Sequence, residues 1–207
     1  MKPKTKQLWD KQDRHPGDRW RLFRSIADAY HPKKVLYPGS YVDVAPSFVF
    51  PDVTYVDVDR RAAAFFEDME GVQEIIKDHD TLPGNPSFHF IHADYTDLKL
   101  PSERFDLLIS LYAGLISEYC TGFLKIGGRL LVNPSHGDAA LASIDPRYEL
   151  TGVVAFRSGD YQVSEENLSS YLIPKKSIEV TRDTLFKICR GIAYTRSPFA
   201  YVFTRTT

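Results

Sequence analysis

Residues 133–138, Asn-Pro-Ser-His-Gly-Asp, place the imidazole of His136 two positions from the carboxylate of Asp138. Such a pair can do general acid–base work, since His titrates near neutral pH and a nearby carboxylate orients it. The bland alternative is a solvent-exposed histidine in a Pro/Gly/Ser turn. A second stretch, Val35-Leu36-Tyr37-Pro38-Gly39-Ser40-Tyr41-Val42-Asp43, starts as a short apolar run and breaks at a glycine. Residues without Cβ let a backbone adopt positive φ and approach a ligand closely. Here only Gly39 has that freedom, while Tyr41 and Val42 bring bulk into the turn. Cys120 and Cys189 stand alone, without a Cys-x-x-Cys pattern or a His/Cys cluster at ligand spacing, so no metal centre is expected. Tyr161, Tyr171 and Tyr194 could line a pocket, though core packing accounts for them more simply.

These residues need elements to hold them. After the His15-Pro16-Gly17-Asp18 turn, Asp18 is expected to cap a helix through about Tyr30, with Trp20, Phe23, Ala27 and Tyr30 as its buried stripe. His31-Pro32 ends it, because the residue before proline disfavours helical geometry. Strands are expected at Val35–Tyr37, Val53–Val58, Phe88–Ala93, Phe105–Leu111 and "RLLVN", residues 129–133. Between them lie a helix from Arg60 to Asp78, a loop at 81–87, and a helix from about Leu115 to Leu124 ending at Gly127-Gly128. The Arg60–Asp78 helix would bury Ala62, Phe65, Phe66, Met69, Val72 and Ile76. Strand and crossover in repeated alternation define a doubly wound, mostly parallel α/β sheet with helices on both faces. Tyr148–Phe156 and Ala200–Thr204 are late strands around a helix at Thr181–Arg190, and one is expected to be an antiparallel edge. Residues 157–178 show no clear period and read as an insertion or lid.

At 207 residues, a single domain with one sizeable core suffices. The net charge of -1 gives no global field for nucleic acid or an acidic membrane. Residues 1–34 are locally basic, with ten Lys and Arg against four Asp, and read as an N-terminal helical extension. No apolar run approaches the roughly 20 residues a membrane helix needs. The first residues lack the apolar core of a signal peptide, so a cytoplasmic protein is expected.

The series "VLYPG", "VTYVDVDRRAAAFF", "FIHADYTDL", "FDLLISLYAG" and "LKIGGRLLVN", over residues 33–133, resembles the Rossmann-like S-adenosylmethionine-dependent methyltransferases. The resemblance implies a Rossmann-like fold, S-adenosylmethionine as cofactor and a small-molecule substrate of unidentified kind. It implies that Asp57 grips the ribose hydroxyls, a role suited to a carboxylate that accepts from two vicinal hydroxyls. Asp94 matches the acidic residue facing the adenine amino group, with Tyr95 beside the ring. Ser110 and Leu111 match the strand end where substrate and methyl donor meet. Tyr37, Gly39 and Ser40 match the end of the first strand and its loop. Without a ligand, Asp57, Asp59 and Asp94 would serve only as turn acceptors and caps.

The departure from the family lies in that loop, where Gly-x-Gly-x-Gly and the acidic residue before it are replaced by Tyr37-Pro38-Gly39-Ser40-Tyr41-Val42-Asp43. Two readings follow. Asp43 takes over the lost acidic role while Ser40 holds the methionine carboxylate, or Tyr41 fills the space as a core aromatic. Gly39 to Val53 is also short and carries Pro46 and Pro51, so any crossover helix must be brief. The Asn-Pro-Pro-Tyr signature of amino-group methylation is absent, Ser110-Leu111-Tyr112-Ala113-Gly114 standing after the fourth strand. Methyl transfer from a sulfonium relies mainly on positioning, so no acid–base dyad is required. A methyltransferase-like fold without turnover, serving as a binding module, is the second functional reading. A nicotinamide enzyme is weaker, since pyrophosphate recognition needs a glycine-rich turn opening a helix.

Overall fold

The computed structural model describes residues 1–15, 17–79, 84–177 and 179–207. Pro16 of the expected turn, residues 81–83 of the expected loop and residue 178 lie outside them. The chain condenses into two compact units, Met1–Leu98 and Lys99–Thr207.

The first unit contains α1 (Pro3–Gln12), α2 (Asp18–Tyr30), β1 (Lys34–Pro38), β2 (Asp52–Asp57), α3 (Arg60–Phe66), α4 (Met69–Lys77) and β3 (Ser87–His92). β2 lies between β1 and β3, parallel to both, with Val35 opposite Val53 and Val56 opposite Ile91. Val35, Leu36, Tyr37, Val53, Tyr55 and Val56 are all buried, as strands covered on both faces should be. The β1–β2 crossover holds a single buried 3-10 turn, Ala45–Phe48, consistent with its length and two prolines.

Two expectations for this unit need correction. The buried stripe of α2 is Leu22, Phe23 and Ile26, because the Trp20 ring lies at the rim against His79, with the Arg24 guanidinium over it. The long Arg60–Asp78 helix is two helices, broken at Glu67–Asp68. The Asp68 carboxylate caps α4 through the Gly71 N–H and also accepts the Lys2 N–H at 2.7 Å. Anchoring the N-terminal segment there costs the helix its continuity. Met69 then turns outward and Ile75 joins the buried face.

The second unit contains β4 (Phe105–Ser110), α5 (Ile116–Cys120), β5 (Leu124–Val132), α6 (Asp138–Ile144), β6 (Tyr148–Arg157), β7 (Asp160–Ser164), α7 (Arg182–Ile188) and β8 (Ala200–Arg205). Its strands run β4-β5-β8-β6-β7; the first pair is parallel and the other three are antiparallel. β8 and β7 therefore run against β4 and β5 while β6 runs with them, and β8 sits inside, between β5 and β6. Part of the aperiodic 157–178 segment is regular: β7 closes a hairpin on β6, and Leu168–Leu172 is a 3-10 turn. The fifth core strand begins at Leu124, five residues before the expected start, and α6 was not anticipated. With parallel strands joined through helical crossovers, the chain has the Rossmann-like α/β fold. Among the described residues no helix is long and apolar enough to cross a membrane.

Candidate functional site

The loop after β1 turns on Gly39, φ 67°, whose N–H donates to the Val56 carbonyl at 2.7 Å. Tyr41 then takes the left-handed conformation, φ 49°, normally left to glycine. That conformation directs the Tyr41 N–H to Asp57 Oδ2 at 2.7 Å, while the Asp59 N–H reaches Asp57 Oδ1 at 2.7 Å. Asp57, half-buried at the end of β2, is thus the anchor of the loop. A carboxylate offers about four acceptor positions. Two are taken here, which leaves one on each oxygen.

The Tyr41 ring does not enter the core. It is half-exposed, with the Arg61 guanidinium 5.1 Å from its centroid, and Arg61 is held by Asp59 at 2.6 Å. That ion pair draws the Asp59 carboxyl below its ordinary value. The core aromatic of this segment is Tyr37, 2% exposed, and Val42 is fully buried.

Asp43 does not replace the missing strand-end carboxylate. Its Oδ2 accepts from Arg19 Nε at 2.8 Å, Arg19 Nη2 at 2.6 Å and the Tyr37 hydroxyl at 3.2 Å. With Asp43 1% exposed, this is a buried ion pair reaching from the loop to α2. Burial raises the Tyr37 phenol far above its ordinary value, so it stays a neutral donor. Ser40 is 2% exposed, and among the described residues its hydroxyl has only a long contact, 3.5 Å, to the Tyr41 carbonyl. Asp94 is exposed and caps the turn at Tyr95–Asp97, accepting the Thr96 N–H and hydroxyl on Oδ1, each at 2.9 Å. Its Oδ2 meets no donor among the described residues, and Tyr95 beside it is half-buried.

In the second unit, Ser110 and Leu111 at the end of β4 are each 2% exposed. Ser110 Oγ donates to Asp138 Oδ2 at 2.5 Å, and Ser117 donates to the same carboxylate through its hydroxyl and its N–H. Asp138 is 1% exposed and faces hydroxyl and amide donors without a cation. Burial pushes its carboxyl up to about 6 and these hydrogen bonds pull it partway back. Buried Cys120 is pushed up to about 12 by burial and by the Asp138 charge. Asp138 is therefore turned inward and His136 contacts Ser135 Oγ instead, at 2.9 Å. The sequence pairing of His136 with Asp138 does not form. Asn133 Oδ1 accepts from Ser135 Oγ at 2.8 Å and from the Tyr112 N–H at 3.4 Å, which ties the loops after β4 and β5. Tyr112, 58% exposed at φ 62°, is held in a conformation uncommon for its type. Neither Asn133 nor Arg19 was singled out in the sequence; the contacts to Tyr112, 21 residues from Asn133, and to Asp43, 24 residues from Arg19, give them a role. No group of three metal-ligating side chains occurs among the described residues.

Strand pairing and crossovers within each unit are those of a Rossmann-like α/β fold. Solved structures similar to this chain include a S-adenosylmethionine-dependent methyltransferase from Aquifex aeolicus, 14% identical with TM-score 0.44, over 62% of this chain and 71% of that one. The plantazolicin methyltransferase BpumL in complex with S-adenosylhomocysteine is similar at 13% identity and TM-score 0.44, over 70% of this chain and 60% of its own. The YcgJ protein of Bacillus subtilis is similar at 19% identity and TM-score 0.43, over 60% of this chain and 54% of its own. The chain thus spans less than two thirds of the length of the last two. No family model and no curated protein matches the sequence.

Proposed function

We propose that the chain binds S-adenosylmethionine and transfers its methyl group to a small molecule. The observation that carries this reading is Asp57: a half-buried carboxylate at the end of β2 with one acceptor position left on each oxygen. Two vicinal ribose hydroxyls require that arrangement. Asp94 Oδ2 is available in the same way for an exocyclic amino group. When bound, S-adenosylmethionine supplies a methyl group on a sulfonium that is already a good leaving group. The chain's task is then to bind and orient, in which Asp57 fixes the ribose and the Gly39–Tyr41 backbone sets how closely the loop can approach it.

A second reading, a fold retained as a binding module without turnover, is favoured by a different observation. Tyr41 stands where the family has glycine, and its N–H already occupies Asp57. Calorimetric titration with S-adenosylhomocysteine, which cannot be consumed, separates the readings. Micromolar binding weakened about tenfold in Asp57→Asn supports a cofactor site. Absence of heat from folded protein sinks the methyltransferase reading and leaves the binding module.

A further inference from the structure

A cleft of about 600 Å³ opens in the second unit, between the end of α7 and the ribbon formed by residues 173–175 and 193–195. The ribbon is closed by the Lys175 N–H to the Ala193 carbonyl and the Thr195 N–H to the Ile173 carbonyl, each 2.8 Å. The far wall is fixed by close packing of backbone. Gly191 donates its N–H to the Ser135 carbonyl, and a Cβ on Gly191 would sit 1.8 Å from the Pro134 carbonyl oxygen. No other residue type fits there, so the 188–192 turn is locked onto the loop after β5. The volume falls in the range of small-ligand pockets.

The chemistry of the lining is one-sided. Lys175, Lys176 and Arg190 supply three cations, and among the described residues no carboxylate lines the cleft. Among the described residues none of the three has an ion-pair partner. Ile188, Ile192 and Ala193 supply an apolar floor. Three unpaired cations above an apolar surface complement a ligand with an anionic head and an apolar body.

We propose that this cleft binds a small amphiphilic anion: a carboxylate, sulfonate or phosphate ester carried on an acyl or aryl group. Its occupant is a single soluble molecule, since the volume admits one such body within fixed walls. The site is independent of the cofactor reading.

The test uses the full chain and 8-anilinonaphthalene-1-sulfonate, followed by its fluorescence and displaced by decanoate. Saturable binding of one probe per chain is expected, displaced by decanoate and not by equal decanol or sulfate. Lys175→Gln/Lys176→Gln/Arg190→Gln should weaken it at least about tenfold while Lys175→Arg/Lys176→Arg retains it. Cys189, exposed between Ile188 and Arg190, localises the event, because Cys120 is buried. Decanoate should slow the reaction of Cys189 with a thiol reagent. Unchanged probe affinity in the triple glutamine variant overturns the proposal. So does displacement by anionic vesicles or a short oligonucleotide where monomeric decanoate fails, which would make the cleft a surface for those partners.

Discussion

Asp43 in the first unit and Asp138 in the second are each 1% exposed, and the two are handled in opposite ways. Asp43 in the first unit meets a guanidinium through Arg19 Nε and Nη2 and is backed by the Tyr37 hydroxyl. Asp138 in the second unit has, among the described residues, the Ser110 and Ser117 hydroxyls and backbone amides as its donors. A cation compensates a buried negative charge; neutral donors do so only in part, and the carboxyl is pushed up to about 6. Asp43 is thus a fixed ion pair joining α2 to the loop after β1. Asp138 is a group whose charge is open to change within the ordinary pH range.

The largest effect should come from breaking the compensated pair. Arg19→Met leaves the Asp43 charge buried without its cation and should cost about 3–4 kcal/mol, read as a fall in the urea midpoint at constant slope. The 20% exposure of the Arg19 side chain places the loss toward the lower end for a broken buried pair. Adding Asp43→Leu removes the stranded charge and should recover much of the loss. A double variant as unstable as the single one would mean that Asp43 contributes by packing rather than by charge.

The next effect belongs to Asp138. Its folded carboxyl titrates at about 6 against an ordinary value of 3.8, so the folded state holds the proton more tightly than the unfolded chain. The stability from that proton is fully present below about pH 4 and lost as pH rises through 6, about 3 kcal/mol in all. Denaturation of the protein and of Asp138→Asn across pH 4 to 8 isolates the contribution. The variant should lack this fall and be the more stable of the two at pH 8. Parallel curves would show that Asp138 stays ionised throughout.

Neither arrangement could be read along the chain. Ser117 and Asp138 lie 21 residues apart and Arg19 and Asp43 lie 24 apart, each pair on different elements. Elements marked by local chemistry were legible: α2 ends at Tyr30 as expected, with His31 in the left-handed conformation before Pro32, although its N-cap is Gly17 rather than Asp18. The break at Asp68 was not, because the carboxylate that caps α4 there also holds Lys2, 66 residues earlier. α6 was hidden for a related reason. Its N-cap is Gly137, φ 90°, inside a run of turn-forming residues, and only burial of Ala139 to Ala142 marks it as a helix. At the site, Asp57 and Asp94 were legible as strand-end carboxylates. What Asp57 binds within the chain depends on Tyr41 adopting a conformation its residue type disfavours.

That contact gives the next effect in size. Asp57→Ala removes the acceptor of two charge-assisted hydrogen bonds at a half-buried position and should cost about 2 kcal/mol in urea denaturation. A loss below about 0.5 kcal/mol would mean that Gly39 and the Val56 carbonyl hold the loop by themselves.

Tyr41→Gly should change stability least and inform most. It relieves about 1 kcal/mol of left-handed strain. Against that stand the Arg61–ring contact, worth about 0.5 kcal/mol at an exposed site, and the added freedom of glycine in the unfolded chain, about 0.5–1 kcal/mol. The terms nearly cancel, so the urea midpoint should move little. Affinity for S-adenosylhomocysteine need not follow stability. If the Tyr41 side chain obstructs the approach to Asp57, its removal tightens binding severalfold with folding unchanged. If affinity is unchanged while Asp57→Asn abolishes binding, the ring lies outside the ligand's path, as its position against Arg61 implies. The loop would then be a working cofactor loop in which a tyrosine holds a left-handed conformation that ordinarily favours glycine.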